Sequence, residues 1–273
     1  MNSGTLDDRI VVGGIPILLD ESSQETADNF MRTRYRLKGE WQQTQYDSLN
    51  LLVNLSDQRH QDTHEFDRYQ GNIRFGFKSQ KDDFMYSAGA QFGVLALDSG
   101  SYQQDFGLNG TLQYSFNKRW FAAVNGVALS QNNARDSNLD SQIYTLQGGI
   151  GYISKSCLIR LDLGHTWQPA RYDEGKHFAR DYDFISSTII HRLNPQQSLD
   201  FKFLYRDIKH RANHPFFLAA RAEELVSLKA SWRYQWNTAW SADISVSHYD
   251  KNSSISIYSY ERTEWFTGVY YAF

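Results

Sequence analysis

Cysteine is almost absent from this chain: its 273 residues hold one, Cys157. A disulfide scaffold and a cysteine-built zinc site are thereby excluded, and Cys157, at the start of an expected strand, reads as a small structural residue. No apolar run approaches the roughly 20 residues that a helix needs to cross about 30 Å of hydrocarbon, so a transmembrane helix is excluded as well. Positive charge is not in excess. With 28 Lys and Arg against 31 Asp and Glu the formal net charge is −3, which implies no nucleic-acid partner. The opening residues, Met1-Asn2-Ser3-Gly4, carry neither a basic n-region nor an apolar h-region; if the protein is exported, this is expected to be a mature or shortened form. What the chain has in abundance is aromatic residues. There are 17 Tyr, 17 Phe and 7 Trp in a sequence whose mean hydropathy is −0.59. Disordered chains lack aromatics, and an ordinary globular core is mainly aliphatic, so neither class accounts for this composition.

Periodicity does. Phe106, Leu108, Gly110, Leu112, Tyr114 and Phe116 alternate with Gly107, Asn109, Thr111, Gln113, Ser115 and Asn117, a period of two that marks a strand with one apolar and one polar face. The pattern recurs where Met31, Thr33, Tyr35, Leu37, Gly39 and Trp41 oppose Arg32, Arg34, Arg36, Lys38, Glu40 and Gln42. It predicts strands over 28–42, 48–57, 66–79, 84–98, 102–117, 119–131, 140–154, 157–169, 178–192, 197–209, 221–236, 239–250 and 257–273. Bacterial barrels usually have an even strand number, and Arg9 to Leu19 supplies a first strand that brings the total to about fourteen, although Pro16 removes a ladder donor there. Short polar turns alternate with longer polar loops, the loops falling near 58–64, 99–101, 132–138, 170–176, 212–215 and 251–254. The fold class expected is therefore all-β: a transmembrane antiparallel up-and-down β-barrel of about 14 strands in the outer membrane, one domain over 1–273 with a short N-terminal segment over 1–8. A soluble sandwich would have shorter strands of five or six residues. It would also lack the Trp41, Phe84, Trp120, Tyr152, Trp167, Tyr234, Trp236 and Trp240 set, read here as an interfacial girdle beside the short turns.

The last residues, Trp265 to Phe273, look like the C-terminal strand signal that outer-membrane barrels present to the barrel-assembly machinery, with Val269, Tyr271 and Phe273 as its alternating positions. Before them, Asp250-Lys251-Asn252-Ser253-Ser254 and Ile257-Tyr258-Ser259-Tyr260-Glu261-Arg262 resemble the closing hairpin of barrels that follow tetratricopeptide repeats, and most of all the surface lipoprotein assembly modifier family. That resemblance covers the barrel alone. It implies an upstream periplasmic repeat domain, absent from this chain, and a role in delivering lipoproteins or related secreted cargo to the cell surface. Exopolysaccharide-export barrels share the repeat-plus-barrel plan but resemble a larger barrel.

Placing the polar faces inward puts Arg32, Arg34, Arg36, Lys38, Arg68, Arg74, Lys78, Arg160, Lys202, Arg206, Lys229, Arg233 and Arg262 on the lumen wall, against Glu40, Asp162, Asp200, Asp243 and Glu264. A basic lumen concentrates anions, so the alternative function is a porin for small anionic solutes or oligosaccharides. The competing reading is that these charges pair across strands and fill the interior. About fourteen strands leave an opening unless something plugs it, and the segment 170–177 is the loop with the reach to fold inward. No cofactor, metal or reaction is expected. His248 beside Asp250, Asn252 and Ser253 lacks the arrangement of a lipase site. His60 and His64, near Asp57, Asp62 and Glu65, are spaced to share a face only on a helix, and none is expected there. The stretch 133–140 lacks the glycine and terminal glutamate of a calcium loop.

Overall fold

A computed structural model describes residues 9–12, 15–18, 28–97 and 100–272. Two short strands, β1 (Arg9–Val12) and β2 (Ile15–Leu18), pair with one another. Thirteen long strands form a second sheet in strict sequence order, each antiparallel to the next. They are β3 (Phe30–Gln42), β4 (Asp47–His60), β5 (Arg68–Lys81), β6 (Phe84–Leu97), β7 (Gly100–Ser115), β8 (Trp120–Asn133) and β9 (Ser141–Ile153). The rest are β10 (Cys157–Gln168), β11 (Arg180–Asn194), β12 (Gln197–Asn213), β13 (Ala220–Gln235), β14 (Trp240–Ser253) and β15 (Tyr260–Tyr271). The up-and-down barrel fold is thus as the periodicity requires. The difference lies at its beginning. The stretch expected to be one first strand pairs with itself, Arg9 opposite Leu18 and Val12 opposite Ile15, because Gly13-Gly14 at its middle is a dipeptide that permits a tight reversal.

The two classes of connection are built by different side chains. Three of the short turns are closed by an Asn or Thr, Thr44, Asn117 and Asn237, that accepts two backbone N–H bonds. Asn117 Oδ1 accepts from Arg119 and Trp120 at 2.8 and 3.0 Å, and Asn237 Oδ1 accepts from Ala239 and Trp240, both at 2.9 Å. The local sequences, Phe116-Asn-x-x-Trp120 and Trp236-Asn-x-x-Trp240, make the same turn twice. Asp82 takes the left-handed conformation, φ 52°, in the tighter turn between β5 and β6, a conformation that Asp tolerates better than branched residues. Three longer loops at the other end close through the residue that follows a single 3-10 turn. Asp67 accepts from His60 N and Asp140 accepts from Asn133 N, each at 2.7 Å, and Ser259 accepts from Ser253 N at 2.9 Å.

Register assigns the faces. Directly opposed residues in an antiparallel pair share a face, and the outward set carries the exposed apolar side chains, including Tyr35, Leu37 and Trp41 on β3, Phe75 on β5, Leu108 and Leu112 on β7, Leu161 and Leu163 on β10, and Trp265 and Val269 on β15. Outward charges lie toward the long-loop ends, at Asp57, Arg59, Asp181, Asp183, Asp207, Lys209, Glu224, Asp250 and Glu261, and at the short-turn ends at Asp47 and Lys81. Between that charged border and the short turns each strand has about four or five outward residues, a band of roughly 25 Å once tilt is included. The strands continue past it, which is why β12 reaches 17 residues. Trp167 belongs to the long-loop rim, at the end of β10 beside His165, rather than to the short-turn girdle with Trp41, Trp120 and Trp240.

The loop after β10 lies against its neighbour. Arg171 donates to Asn132 Oδ1 at 2.6 Å and to Ser130, and pairs with Asp140 at 3.6 Å. A Cβ on Gly175 would sit 2.1 Å from the Asn138 carbonyl oxygen. These contacts hold the segment expected to turn inward against 137–140 instead.

Candidate functional site

The inward face is the candidate site, and strand register decides its membership. On β3 the row Arg32, Arg34, Arg36 and Lys38 stands opposite Gln58, Ser56, Asn54 and Leu52 of β4, and β5 continues it with Arg68 opposite Gln58, Arg74 opposite Leu52 and Lys78 opposite Ser48. Across the sheet, Arg206 and Lys202 of β12 face Leu225 and Lys229 of β13, Ser198 faces Arg233, Arg233 faces Asp243, and Tyr249 faces Arg262. Arg160 opposes Gly151 and Thr188. All the basic positions read from the sequence therefore lie on one face, opposite in phase to the apolar band.

Their carboxylate partners lie along the strand, and their amide partners lie across it. Three of them find a carboxylate two residues along their own strand: Lys38 with Glu40 at 3.5 Å, Arg160 with Asp162 at 2.7 Å and Arg262 with Glu264 at 3.5 Å. Asp162 is seated where a side chain on Gly149 would be, since a Cβ there would stand 2.2 Å from Asp162 Oδ1. Arg36 donates to Asn54 Oδ1 at 2.9 Å, and Arg32 donates to Gln58 Oε1, at 2.8 Å from its Nε. Five arginines are propped on rings: Arg32 on Phe30, Arg34 on Phe266, Arg206 on Tyr182, Arg233 on Tyr270 and Arg262 on Tyr249, with guanidinium carbon to centroid distances of 5.0, 5.7, 5.3, 5.8 and 4.9 Å. A ring face attracts a guanidinium without cancelling its charge, so these side chains are held in place and still present a positive field. Lys202 and Lys229 are directly opposed, and among the described residues neither has a carboxylate within ion-pair distance. Like charges in that position repel, which makes this pair the least compensated point of the wall.

The charge is also one-sided. The inward faces of β6 to β9 carry Ser87, Gln91, Asn109, Thr111, Gln113, Asn125, Thr145 and Gln147, with Gly89, Gly93 and Gly107 between them. Among the described residues Asp105 is the one charge on that arc. The basic residues occupy the other arc, β10 to β15 and β3 to β5.

Sequence reading missed two parts of the wall. The inward aromatics Phe30, Tyr182, Tyr249, Phe266 and Tyr270 were hidden because aromatic residues were assigned to the lipid face; the signal was available on β15, where Tyr260, Phe266 and Tyr270 alternate against Trp265, Val269 and Tyr271. The second is a buried cluster at the long-loop end. Glu223, with a fully buried side chain, is held by Lys251 at 2.9 Å and Arg221 at 3.2 Å, with His210 at 3.9 Å. Arg221 Nε also donates to His210 Nε2 at 2.9 Å. His210 Nδ1 reaches the His177 carbonyl oxygen at 3.0 Å, and Tyr258 and His214 share a hydrogen bond of 3.0 Å, which ties three loops to the rim. Burial, with the charges of His177, Arg221 and His210, lowers the His214 pKa.

The other positions singled out in the sequence separate in space. His248 points outward and contacts Thr263 Oγ1 at 3.0 Å, with Glu261 at 3.8 Å; the Ser253 hydroxyl oxygen accepts from Ile255 N. His60 is buried against Asp28 at 3.1 Å, while His64 is exposed on its turn. Burial raises the Asp28 pKa, but bonds from Thr63, His60 and the Asp62 amide outweigh it and hold the carboxyl well below the usual range. In 133–140, Asp136 and Asp140 accept backbone N–H bonds from Asn138 and Asn133. Of the assembly-signal positions, Val269 and Tyr271 are exposed on the outer face; Phe273 lies outside the described residues.

No family model matches the sequence, and no curated protein matches it. Solved structures do match. The monoaromatic hydrocarbon channel CymD superimposes with a TM-score of 0.53 at 12% identity, over 90% of this chain and 86% of that one. OmpT, an outer membrane protein of Vibrio cholerae, gives 0.50 at 10% identity, over 97% and 94%. With the apolar exterior band, these likenesses show that the chain has the fold of an outer-membrane β-barrel.

Proposed function

We propose that the protein is a non-enzymatic outer-membrane channel whose basic arc draws anionic solutes through the lumen. The observation that carries this reading is the charge distribution. Many cations line one arc, several are propped on rings or amides instead of being neutralised, and the opposite arc is neutral and rich in amides and hydroxyls. A wall built only to fill the interior gains nothing from opposing Lys202 to Lys229. An aqueous lumen gains a higher local anion concentration. Amide and hydroxyl groups on the other arc suit the neutral, hydroxylated part of an acidic oligosaccharide. The test is swelling of proteoliposomes in matched solutes: gluconate and sulfate should enter faster than a neutral sugar or a cation of the same size. Equal entry rates would reject the anion preference, and no entry would reject the channel.

A second reading follows from the closing-hairpin residues 250–262, which resemble those of surface lipoprotein assembly modifiers. In it the barrel is the translocation domain of a repeat-plus-barrel secretion protein, inserted by the barrel-assembly machinery and carrying a lipoprotein cargo. It requires tetratricopeptide helices encoded upstream of the barrel, so the native reading frame separates the two readings.

A further inference from the structure

The thirteen-stranded sheet has two free edges, β3 and β15, which do not pair with each other. The sheet nevertheless curls until they face one another. One cavity is lined by residues 28–34 on one side and 265–270 on the other, and the Arg34 guanidinium reaches to 5.7 Å from the Phe266 ring. Thirteen is odd, so in an up-and-down sheet the first and last strands run the same way. Both β3 and β15 run from the long-loop end to the short-turn end. Unpaired strand edges facing lipid are not tolerated within the hydrocarbon layer, because no water is there to satisfy the N–H and C=O groups. Direct pairing of β3 with β15 would be parallel, in a barrel where every other pair is antiparallel. One inserted strand running the opposite way would be antiparallel to both edges.

We propose that this seam is filled in the membrane by residues 9–18, which leave their own hairpin and run as a single fourteenth strand from the short-turn end to the long-loop end. Four observations select this occupant. Its length, ten residues, is that of a tilted membrane-spanning strand. Its direction is right: a strand preceding β3 and antiparallel to it ends at the long-loop end, beside Phe30, and residues 19–29 give that connection the length of the loop 169–179. Its composition, Arg-Ile-Val-Val-Gly-Gly-Ile-Pro-Ile-Leu, is β-branched and apolar, and the seam is apolar on its outer rim at Met31, Trp265 and Val269 and aromatic within at Phe30, Phe266 and Tyr270. Finally, the hairpin has only four residue pairs, one of them to Pro16, which cannot donate. Insertion as two strands would restore an odd total and leave the mismatch, so the hairpin must open.

Disulfide trapping in the membrane-embedded full chain, on a Cys157→Ser background, tests this. The hairpin is reported by Ile10→Cys with Ile17→Cys, which are direct partners in it. The inserted strand is reported by Val12→Cys combined in turn with Leu37→Cys, Lys38→Cys or Gly39→Cys on β3, and with Gly268→Cys, Val269→Cys or Tyr270→Cys on β15. Expected is oxidation of at least one pair on each edge within the same chain, with the hairpin pair left reduced. Quantitative oxidation of the hairpin pair overturns the proposal. So does a disulfide from Leu37→Cys to Val269→Cys, which reports direct closure, or disulfides between chains, which report a second copy in the seam. Amide exchange gives the same answer without cysteines: residues 9–18 should be protected as strongly as β3 in lipid, and rapid exchange there contradicts insertion.

Discussion

Replacing both Lys202 and Lys229 by Gln should make the barrel more stable and less selective. The two ammonium groups are directly opposed across β12 and β13, a placement that costs on the order of 0.2–1 kcal/mol. Two neutral amides remove that repulsion, so the midpoint of unfolding in urea should rise slightly. The effect on permeation has the opposite sign. A unit charge about 8 Å from a passing ion in water contributes roughly 0.5 kcal/mol, so removing both costs an anion about 1 kcal/mol, or about fivefold in local concentration. The assay is the reversal potential across a planar bilayer under a KCl gradient, at about 10 mM and at about 1 M. At the lower concentration screening extends to about 30 Å and the loss should appear in full, whereas at 1 M it falls to about 3 Å and the variant should match the parent. Lys155→Gln, on a short turn between β9 and β10, serves as the control and should change neither quantity. An unchanged reversal potential at low salt, or a fall in stability, would refute the reasoning.

Other perturbations probe other parts of the account. Gly149→Ala places a methyl group on Asp162; it should displace the carboxylate from Arg160, shift selectivity further toward anions and lower the yield of folded barrel, read by heat-modifiable gel mobility. Asn117→Ala removes the acceptor of two backbone N–H bonds in a short turn, a loss of about 1–2 kcal/mol in urea unfolding, with conductance unchanged. Asp28 is held in its anionic form by Thr63, His60 and Asp62. Its folded pKa lies below the unfolded value of 3.8, so its contribution is present above that pH and lost as the pH falls further, and protease cleavage within 61–67 should appear only on that side. His214 has a lowered pKa from burial beside His177, Arg221 and His210. The unfolded state binds the proton more readily, so stability of the loops tied by His214 and Tyr258 should decline as pH drops below about 6.5, seen as faster amide exchange over 214–219.

The fold was legible because lipid and water impose a period of two on nearly every strand, and residues such as Tyr35 and Arg36 declare their faces independently. Strand ends were less so. Past the hydrocarbon border the alternation inverts, as at Asp207 and Ile208 on β12, where the outward residue is charged and the inward one is apolar and buried, so the rule that reads the membrane band no longer reads the strand. The basic members of the wall could be read directly, because charges within the band have only one face available. Their supports could not. An inward Phe266 or Tyr182 obeys no lipid rule, and its partner arginine lies on another strand whose register the sequence does not state. The Glu223 cluster joins three strands and remained invisible for the same reason. The first strand shows a conflict between levels: Gly13-Gly14 favours a local hairpin, while the parity of the sheet calls for one strand.

The central claim, a water-filled lumen that favours anions, is tested most directly by the sign of the reversal potential of the purified parent barrel in a tenfold KCl gradient. The account predicts a sign corresponding to chloride moving more readily than potassium, larger in dilute salt than in concentrated salt. A potential of the cation-selective sign, or a membrane that stays electrically silent, would contradict it.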